Sequence, residues 1–533
     1  SGLASASRVK AGAEPALGRG RDEGQLGRIP AAAALLLLAG CTVGPNFETP
    51  EWLSPASWFA KKAESIQRTP SLPVAEPIDP DWWSLFKDPQ LTALERRVAG
   101  ENLDVQAATV RLAESRAQLG VVGAAQFPTF NANGSYTRQK ASNLGVFSNA
   151  PNALGANGAS GSTTGGVSSS VLNAFDVYQV GFDASWEVDL WGRVRRSVES
   201  STASVEASAE ARRDTLISNL AELARDYIQL RGIQLQLQIA RDNAKTAQQS
   251  LQLTQQRASG GVTTDLDVAN AAAQLRTTEA QIPALEQQES EFINAISLLL
   301  GLPPNALQAE LITPKPVPPI PPRIPVGVPS ELARRRPDIR QAEALLHATT
   351  ADIGVAVANF YPSVTLTGSV GLQSLQPWQM FNLNARNYAV GPGITIPIFE
   401  GGQLTATLDL RKAQQQEAAI NYQKTVLGAW HEVDNALTAY RTEQTRRDRL
   451  AEAVAENQRA LSLAQSRYQE GVADFLQVLT AQQNLLSTQQ QLALATTNVS
   501  ANLVAVYKAL GGGWETQMPR TNDNLTPLGA PSL

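Results

Sequence analysis

The chain has 533 residues, 43% hydrophobic and 17% charged, which is enough apolar material for a sizeable core and too much for a disordered chain. Lysine and arginine number 44 against 49 acidic residues, and a net charge of −5 leaves no basic excess for nucleic acid as the main partner. Two histidines, His347 and His431, and a single cysteine, Cys41, are too few for a zinc centre, a disulfide framework or Cys–His catalysis.

From the N-terminus, the first feature is the apolar run 29–38, preceded by Arg28 and followed by Ala39, Gly40 and Cys41. It is far short of the roughly 20 residues that a transmembrane helix needs. A basic flank, a short apolar stretch and small residues before the cut make a secretory signal. Leu38-Ala-Gly-Cys41 resembles a bacterial lipobox, in which the thiol is acylated and Cys41 becomes the mature N-terminus. Thr42 in place of Asp fits sorting to the outer membrane. Residues 1–40 are therefore read as an N-terminal extension with signal peptide, and 41–88 as a lipidated extended segment.

A repeat organises the rest. Gly192 and Gly402, Arg257 and Arg467, Gly261 and Gly471, and Gly301 and Gly511 are all matched at an offset of 210 residues. Upstream, Asp104, Gly120 and Pro128 match Asp338, Gly354 and Pro362 at 234. The difference falls in a Gly/Ser/Asn-rich stretch, 141–170, with the composition of a surface loop. Repeat 1 is placed at 89–302 and repeat 2 at 330–512. Between them, 303–329 holds ten prolines and is expected to run extended. A polar tail covers 513–533.

Within each repeat the order is helix, two strands, very long helix, shorter helix. The first helix is expected over 89–126, with Asp88 as N-cap and Pro89 at the first helical position. The long helix of 193–260 would measure about 100 Å at ~1.5 Å per residue, and a shorter one over 263–300 returns to Gly301. Seven-residue ladders run along the long helices. One is Leu216, Leu223, Leu230 and Leu237, matched by Val426, Val433, Tyr440 and Arg447. A second turns from Leu220 and Tyr227 to Gln234, Arg241 and Gln248. Such a seam suits helices packed side by side in a wall with one face toward water.

The strand segments alternate strictly. Tyr178, Val180, Phe182, Trp186, Val188 and Leu190 share one face, with Gln179, Asp183, Ser185 and Glu187 on the other. Segments from Phe130, Val364 and Tyr388 behave likewise, the last continuing through Ile396 and Ile398. This is the pattern of a membrane barrel, apolar toward lipid and polar toward a wet lumen. Four strands cannot close around solute. Two chains would supply eight with a filled interior, and three would supply twelve with room for water.

On these residues the chain resembles the OprM-like lipoprotein branch of the TolC-type outer-membrane efflux proteins. The lipobox, Thr42-Val-Gly-Pro-Asn-Phe47, Trp82-Trp83, Phe86-Lys-Asp-Pro-Gln-Leu91 and Trp186-Glu-Val-Asp-Leu-Trp-Gly192 carry the resemblance. Arg335-Arg-Pro-Asp-Ile339, Pro397-Ile-Phe-Glu-Gly-Gly402 and Tyr507-Lys-Ala-Leu-Gly-Gly-Gly-Trp514 continue it. It implies a mainly α fold with a membrane β portion: a homotrimer forming a 12-stranded β-barrel continued by a 12-helix α-barrel, two structural repeats per chain. It further implies outer-membrane lipid as surroundings, a periplasmic adaptor (membrane-fusion protein), an inner-membrane pump of the RND class, and export of drugs or other toxic small molecules. No cofactor is implied.

The resemblance also implies a periplasmic gate, in which Tyr468 bonds Asp267. Ala473 stands where relatives carry an arginine, and Gln477 and Thr480 stand at the paired pore aspartates. Asp474 and Phe475 are then the candidates for an acidic or apolar constriction. Asp265 and Asp267 have a plainer role open to them as helix caps, and Tyr468 as the last rung of its ladder. Other classes compete poorly. No HExxH, GxSxG or GxxxxGK occurs, so an enzyme is not expected. A periplasmic coiled-coil adaptor would not need four alternating strands. A protein-secretion conduit shares the fold class and stays open. The lipobox makes a direct prediction: labelled palmitate enters the wild type and not Cys41→Ser, and equal label in both would remove the anchor assignment.

Overall fold

The computed structural model describes residues 42–50, 71–74, 76–140, 174–327 and 335–515. Cys41 and its signal, the stretch 141–170 and most of the tail lie outside the described residues. In chain order the elements are β1 (Leu72–Val74), a 3-10 turn (Trp82–Phe86), α1 (Pro89–Glu101), α2 (Leu103–Gly123), β2 (Thr129–Gln139) and β3 (Phe175–Val188). Then come α3 (Arg193–Ser259), α4 (Asp265–Glu279), α5 (Gln281–Leu299), α6 (Gln308–Leu311) and β4 (Arg323–Pro325). Repeat 2 contributes α7 (Pro337–Ala358), β5 (Ser363–Ser374), β6 (Arg386–Thr395), α8 (Gln403–Gln469) and α9 (Phe475–Ala509).

Asp88 begins α1 by accepting hydrogen bonds from the backbone N–H groups of Gln90 and Leu91 at 2.8 and 3.2 Å. Pro89 occupies a position where no N–H is needed. The second Asp88 oxygen accepts from the Tyr227 hydroxyl at 2.7 Å, tying the helix start to α3. The expected single helix over 89–126 is divided. At Asn102 the backbone is extended, and its side chain accepts from Val105 N–H while donating to Asn219 and to the Leu299 carbonyl. One side chain thus joins α2, α3 and the end of α5, which an uninterrupted helix could not do. A smaller interruption separates α4 from α5 at Ala280, where Pro283 has no N–H to return to Glu279.

The two long helices have 67 residues each. Their first ladder is buried midway along: Leu216, Leu223, Leu230, Val426, Val433 and Tyr440. The 3-10 turn inserts Trp82, Trp83 and Phe86 into this same belt, and Trp82 stacks on Tyr507 of α9 at 5.5 Å. Gly232 makes a close approach possible here, because a Cβ at this position would collide with the Thr497 side chain of α9.

Two expectations change at the belt. The proline-rich segment is not simply extended; it forms α6 and then β4, which pairs in parallel with β1. Proline removes donors but leaves carbonyls, and these are used. Gln234 donates to the Leu311 carbonyl at 2.9 Å, and fully buried Arg231 donates to those of Leu311 and Thr313. The second ladder is also less uniformly wet than its glutamines imply. Gln444, matched to Gln234 in the repeat, is buried and accepts from the Ser71 N–H at 3.0 Å. Only beyond the belt do Arg241, Gln248, Gln255 and Gln458 face water.

Two belt carboxylates are taken out of water. Burial pushes Asp226 up to about 6, and Glu222 nearby adds to the shift. Burial alone pushes Glu95 well above the usual range, and both of its oxygens lack partners among the described residues. An acid with a raised folded-state value holds its proton longer when folded, so stability falls as pH rises from the unfolded value through the folded one. The protein is expected to melt higher at pH 5 than at pH 7.5. Asp226→Asn should flatten this slope between about pH 4 and 6, read by thermal melting of the purified protein.

Candidate functional site: the sheet face and the hairpin tips

Strands β2, β3, β5 and β6 form one antiparallel sheet in that order. Residues paired directly across an antiparallel ladder share a face. The register pairs Ala132 with Phe182, Gly134 with Val180, Val180 with Leu372, Phe182 with Val370, Trp186 with Leu366 and Val364 with Ile394. One face, apolar through its middle, therefore runs across all four strands, with Arg138, Asp176 and Arg386 on it only at the end away from the helices. It is largely uncovered: Phe130, Phe182, Val370, Tyr388, Val390 and Ile394 are each more than half exposed. The opposite face carries Asn131, Asn133, Gln179, Asp183, Ser185, Thr365, Thr367 and Ser369. β3 has 14 residues. At ~3.3 Å per residue and a tilt of ~40° it crosses about 35 Å, more than the ~25 Å apolar band of an outer-membrane barrel. β2 and β6 are the open edges.

Tyr178, Val180, Phe182, Trp186 and Val188 sit on the apolar face as expected from their alternation. Leu190 does not. The strand ends at Val188, and the Leu190 N–H turns back to the Val188 carbonyl at 2.9 Å, leaving its side chain half-buried at the entry to α3. Ile396 and Ile398 likewise follow the end of β6 at Thr395, where Pro397 has no N–H to extend a ladder.

At this junction the segment 42–50 is clamped. Val43 N–H donates to the Trp191 carbonyl at 3.1 Å. Arg196 donates to Asn46 at 2.6 Å and pairs with Glu199 at 2.8 Å, and Phe47 stacks on His347 at 4.5 Å. The polar partners are some 150 residues apart, so no local pattern announces them.

At the far end of the long helices both chain reversals use one turn. Gly261 (φ 72°) and Gly471 (φ 77°) take the left-handed conformation. Val262 and Val472 N–H groups then reach back to the carbonyls of Arg257 and Arg467. Asp265 is exposed at the start of α4. Asp267 closes a capping box with Thr264, and its carboxylate also accepts from the Thr263 hydroxyl. These bonds, that of Thr263 foremost, hold its carboxyl below the usual range.

The bond between Tyr468 and Asp267 implied by the resemblance is not made. Asp267 is occupied by its own threonines. Tyr468 is buried, with its ring edge-on to Phe475 at 5.5 Å and its hydroxyl without a partner among the described residues. Phe475 is itself 2% exposed inside the second hairpin, so it is not available as an apolar constriction in this conformation. Asp474, Gln477 and Thr480 are exposed on the first turns of α9. Sequence reading overlooked Arg257, whose guanidinium lies over the Tyr468 ring at 4.7 Å. Its recurrence as Arg467 was the available signal.

An uncovered apolar sheet face continued by two long helices, each packed against α7 and α9, is the build of a membrane-embedded conduit chain. The family model for outer membrane efflux proteins matches residues 96–302 and 328–512, and the chain belongs to that family. It is 31% identical over 508 residues to the probable efflux pump outer membrane protein TtgC of Pseudomonas putida, covering 93% of this chain and 98% of the relative. It is 33% identical over 441 residues to the pyoverdine export outer membrane protein OpmQ of Pseudomonas aeruginosa, covering 82% and 88%. Among solved structures, the outer-membrane channel OprN superposes with a TM-score of 0.79 at 34% identity, covering 89% of this chain and all of that one. The protein is an outer-membrane component of efflux.

The sheet face generates a clear expectation. Val180→Arg should cost roughly 2–4 kcal/mol near the bilayer midplane and reduce assembled protein in outer-membrane fractions. Gln179→Arg, on the opposite face, should assemble normally. Equal assembly of both would contradict the lipid-facing assignment.

Proposed function

We propose that three copies of the chain close a 12-stranded barrel in the outer membrane, continued by a 12-helix conduit, as the exit duct of a tripartite efflux system. The observation that carries this reading is the continuous apolar sheet face with two open edges. Backbone groups at an open edge find no partner in lipid, so β2 of one copy and β6 of the next must pair. The helices beside those edges support the same closure. α2 exposes Leu103, Val110 and Val121, and α8 exposes Leu410, Ile420 and Leu427, as flanks awaiting a neighbour would. Three copies are the smallest number that leaves a wet lumen.

At the tips, Val262 and Leu266 are exposed, and so are their repeat counterparts Val472 and Leu476. Apolar groups held outward at matched turns favour docking of the hairpin end of a periplasmic adaptor, which would link the duct to an inner-membrane pump of the RND class. Asp265, Asp474, Gln477 and Thr480 supply the polar surface of that end, with Asp474 as an acidic ring. Cys41 would carry the lipid anchor; the clamping of Thr42–Phe47 beside the strand–helix junction supports an anchor at the membrane surface. The cargo is assigned to the classes that relatives are named for: toluene and other solvents, antibiotics, or pyoverdine. A protein-secretion conduit finds no specific support in these features.

The test is reconstitution of the purified full chain in planar bilayers, with crosslinking in cells. Discrete channels from an SDS-resistant trimer, and crosslinks from Leu266 or Leu476 positions to an adaptor, are expected. A monomer without conductance would end the proposal. Deleting the gene should sensitise cells to apolar antibiotics or solvents.

A further inference from the structure

On the apolar face of the sheet, charge occurs at one end only. Next to the helices the face holds Trp186, Val188, Val364 and Ile394. At the far end it holds Arg138, Asp176 and Arg386. Arg138 stands eight residues beyond Phe130 on β2, and Arg386 eight residues before Ile394 on β6. At ~3.3 Å per residue and a tilt of ~40°, eight residues climb about 20 Å, which puts both guanidiniums near the outer limit of a ~25 Å apolar band. Tyr136, Tyr178 and Tyr388 lie just inside them on the same face, and the rings of Tyr136 and Tyr178 meet at 5.0 Å. Tyrosines in such a row mark the boundary between acyl chains and headgroups.

Within the chain this charge is not balanced. Arg138 pairs with Asp176 at 3.4 Å, and the Tyr136 hydroxyl donates to the same carboxylate oxygen at 3.0 Å. Arg386 has no carboxylate partner among the described residues. Its Nε donates to the Leu383 carbonyl at 3.0 Å, which holds the guanidinium by one side and leaves both terminal nitrogens to bind something else. One carboxylate therefore serves two guanidiniums. The two also sit on opposite edges of the sheet, Arg138 on β2 and Arg386 on β6, with β3 and β5 between them. Pairing β2 of one copy with β6 of the next brings the outer ends of these strands side by side. The seam then gathers one arginine from each copy, and their repulsion is relieved by an anion bound at that rim.

We infer that each closing seam carries a binding site for the phosphorylated glucosamine headgroup of outer-leaflet lipopolysaccharide, with Arg138 of one copy and Arg386 of the next on its phosphates and the tyrosines against its acyl chains. Guanidinium N–H groups match phosphate oxygens two at a time. A phosphomonoester, with a charge near −1.5 to −2, attracts them more strongly than the single charge of a phospholipid diester. The lipid so held fastens the seam on which it sits. This rests on the reading that copies of the chain close a barrel through β2 and β6.

The test uses the full chain purified as a trimer, stripped of lipopolysaccharide in detergent and then given lipid A, dephosphorylated lipid A, phosphatidylglycerol or inorganic phosphate. Native mass spectrometry reads the bound lipid, and the temperature at which the trimer dissociates in SDS reads the seam. Lipid A should bind and raise that temperature, and its dephosphorylated form should do neither. Arg138→Gln and Arg386→Gln should each weaken lipid A binding roughly tenfold, the loss of one charge-assisted contact. Asp176→Asn releases Arg138 from its ion pair and should bind lipid A more tightly. If Arg138 served only to hold the sheet through that pair, Asp176→Asn would instead behave like Arg138→Gln, and the site would be refuted. Arg449→Gln, which removes an equal charge from an exposed position on α8, should match wild type. Equal stabilisation by phosphatidylglycerol or inorganic phosphate would overturn the glycolipid assignment, as would lipid A binding unchanged in both arginine variants. A trimer indifferent to lipid A refutes the site and leaves the closure standing. A wild type that never assembles beyond a monomer refutes the closure, and the site with it.

Discussion

In lipid there is no water to satisfy a backbone N–H or C=O, and an unpaired group there costs several times what it costs at a wet surface. The interior strands β3 and β5 meet this demand with antiparallel ladders on both sides. The edges β2 and β6 meet it on one side only. A chain carrying such a sheet, with an apolar face of uncovered Phe, Val, Ile and Tyr, leaves two strand edges without a sheet partner among the described residues. Other features of the molecule agree with the proposed closure of that sheet. The strands hold a single register that keeps the middle of this face apolar, and the helices next to the edges leave apolar side chains outward.

The belt answers a different problem. Two 67-residue helices, joined mainly through α7 and α9, which pack against both, are not held by their seams alone, since the second seam turns polar beyond Gln234 and Gln444. Midway along them the chain gathers its heaviest apolar groups. Trp82, Trp83, Phe86, Tyr227, Tyr440 and Tyr507 are all essentially inaccessible. The non-repeated segments are wound around this core and pinned by the same residue in each repeat. Gln234 binds the stretch after repeat 1, and Gln444 binds the stretch before it. The two glutamines stand at matched positions 210 residues apart, and the connecting segments supply what they hold. The cost is polar groups left in the core, of which Glu95 is the plainest case.

Away from the belt the packing is sparser. The tip has its own small cluster, Ala271, Leu461, Tyr468, Phe475, Val478 and Leu485, separate from the main core. A region with few buried contacts opens at lower free-energy cost than the body it extends from.

Much of this architecture was legible from the residues in order. The alternation in β3, the seven-residue ladders, Asp88 before Pro89 and the glycines 210 residues apart are local or periodic signals, and each reports a backbone preference that neighbouring residues express by themselves. They determined the element types, the duplication and the two faces of the sheet. Tertiary structure decided what no spacing encodes. Asn102 breaks a helix because Asn219 and Leu299 are there to be bonded. Leu190 leaves the lipid face because the chain turns into α3 at the end of the ladder. Asp267 is taken by its own threonines while Tyr468 turns its ring to Arg257, 211 positions earlier in the chain. Such pairings depend on which groups folding brings within about 3–5 Å, and a side chain's short-range chemistry selects among partners only after the long-range packing has assembled them.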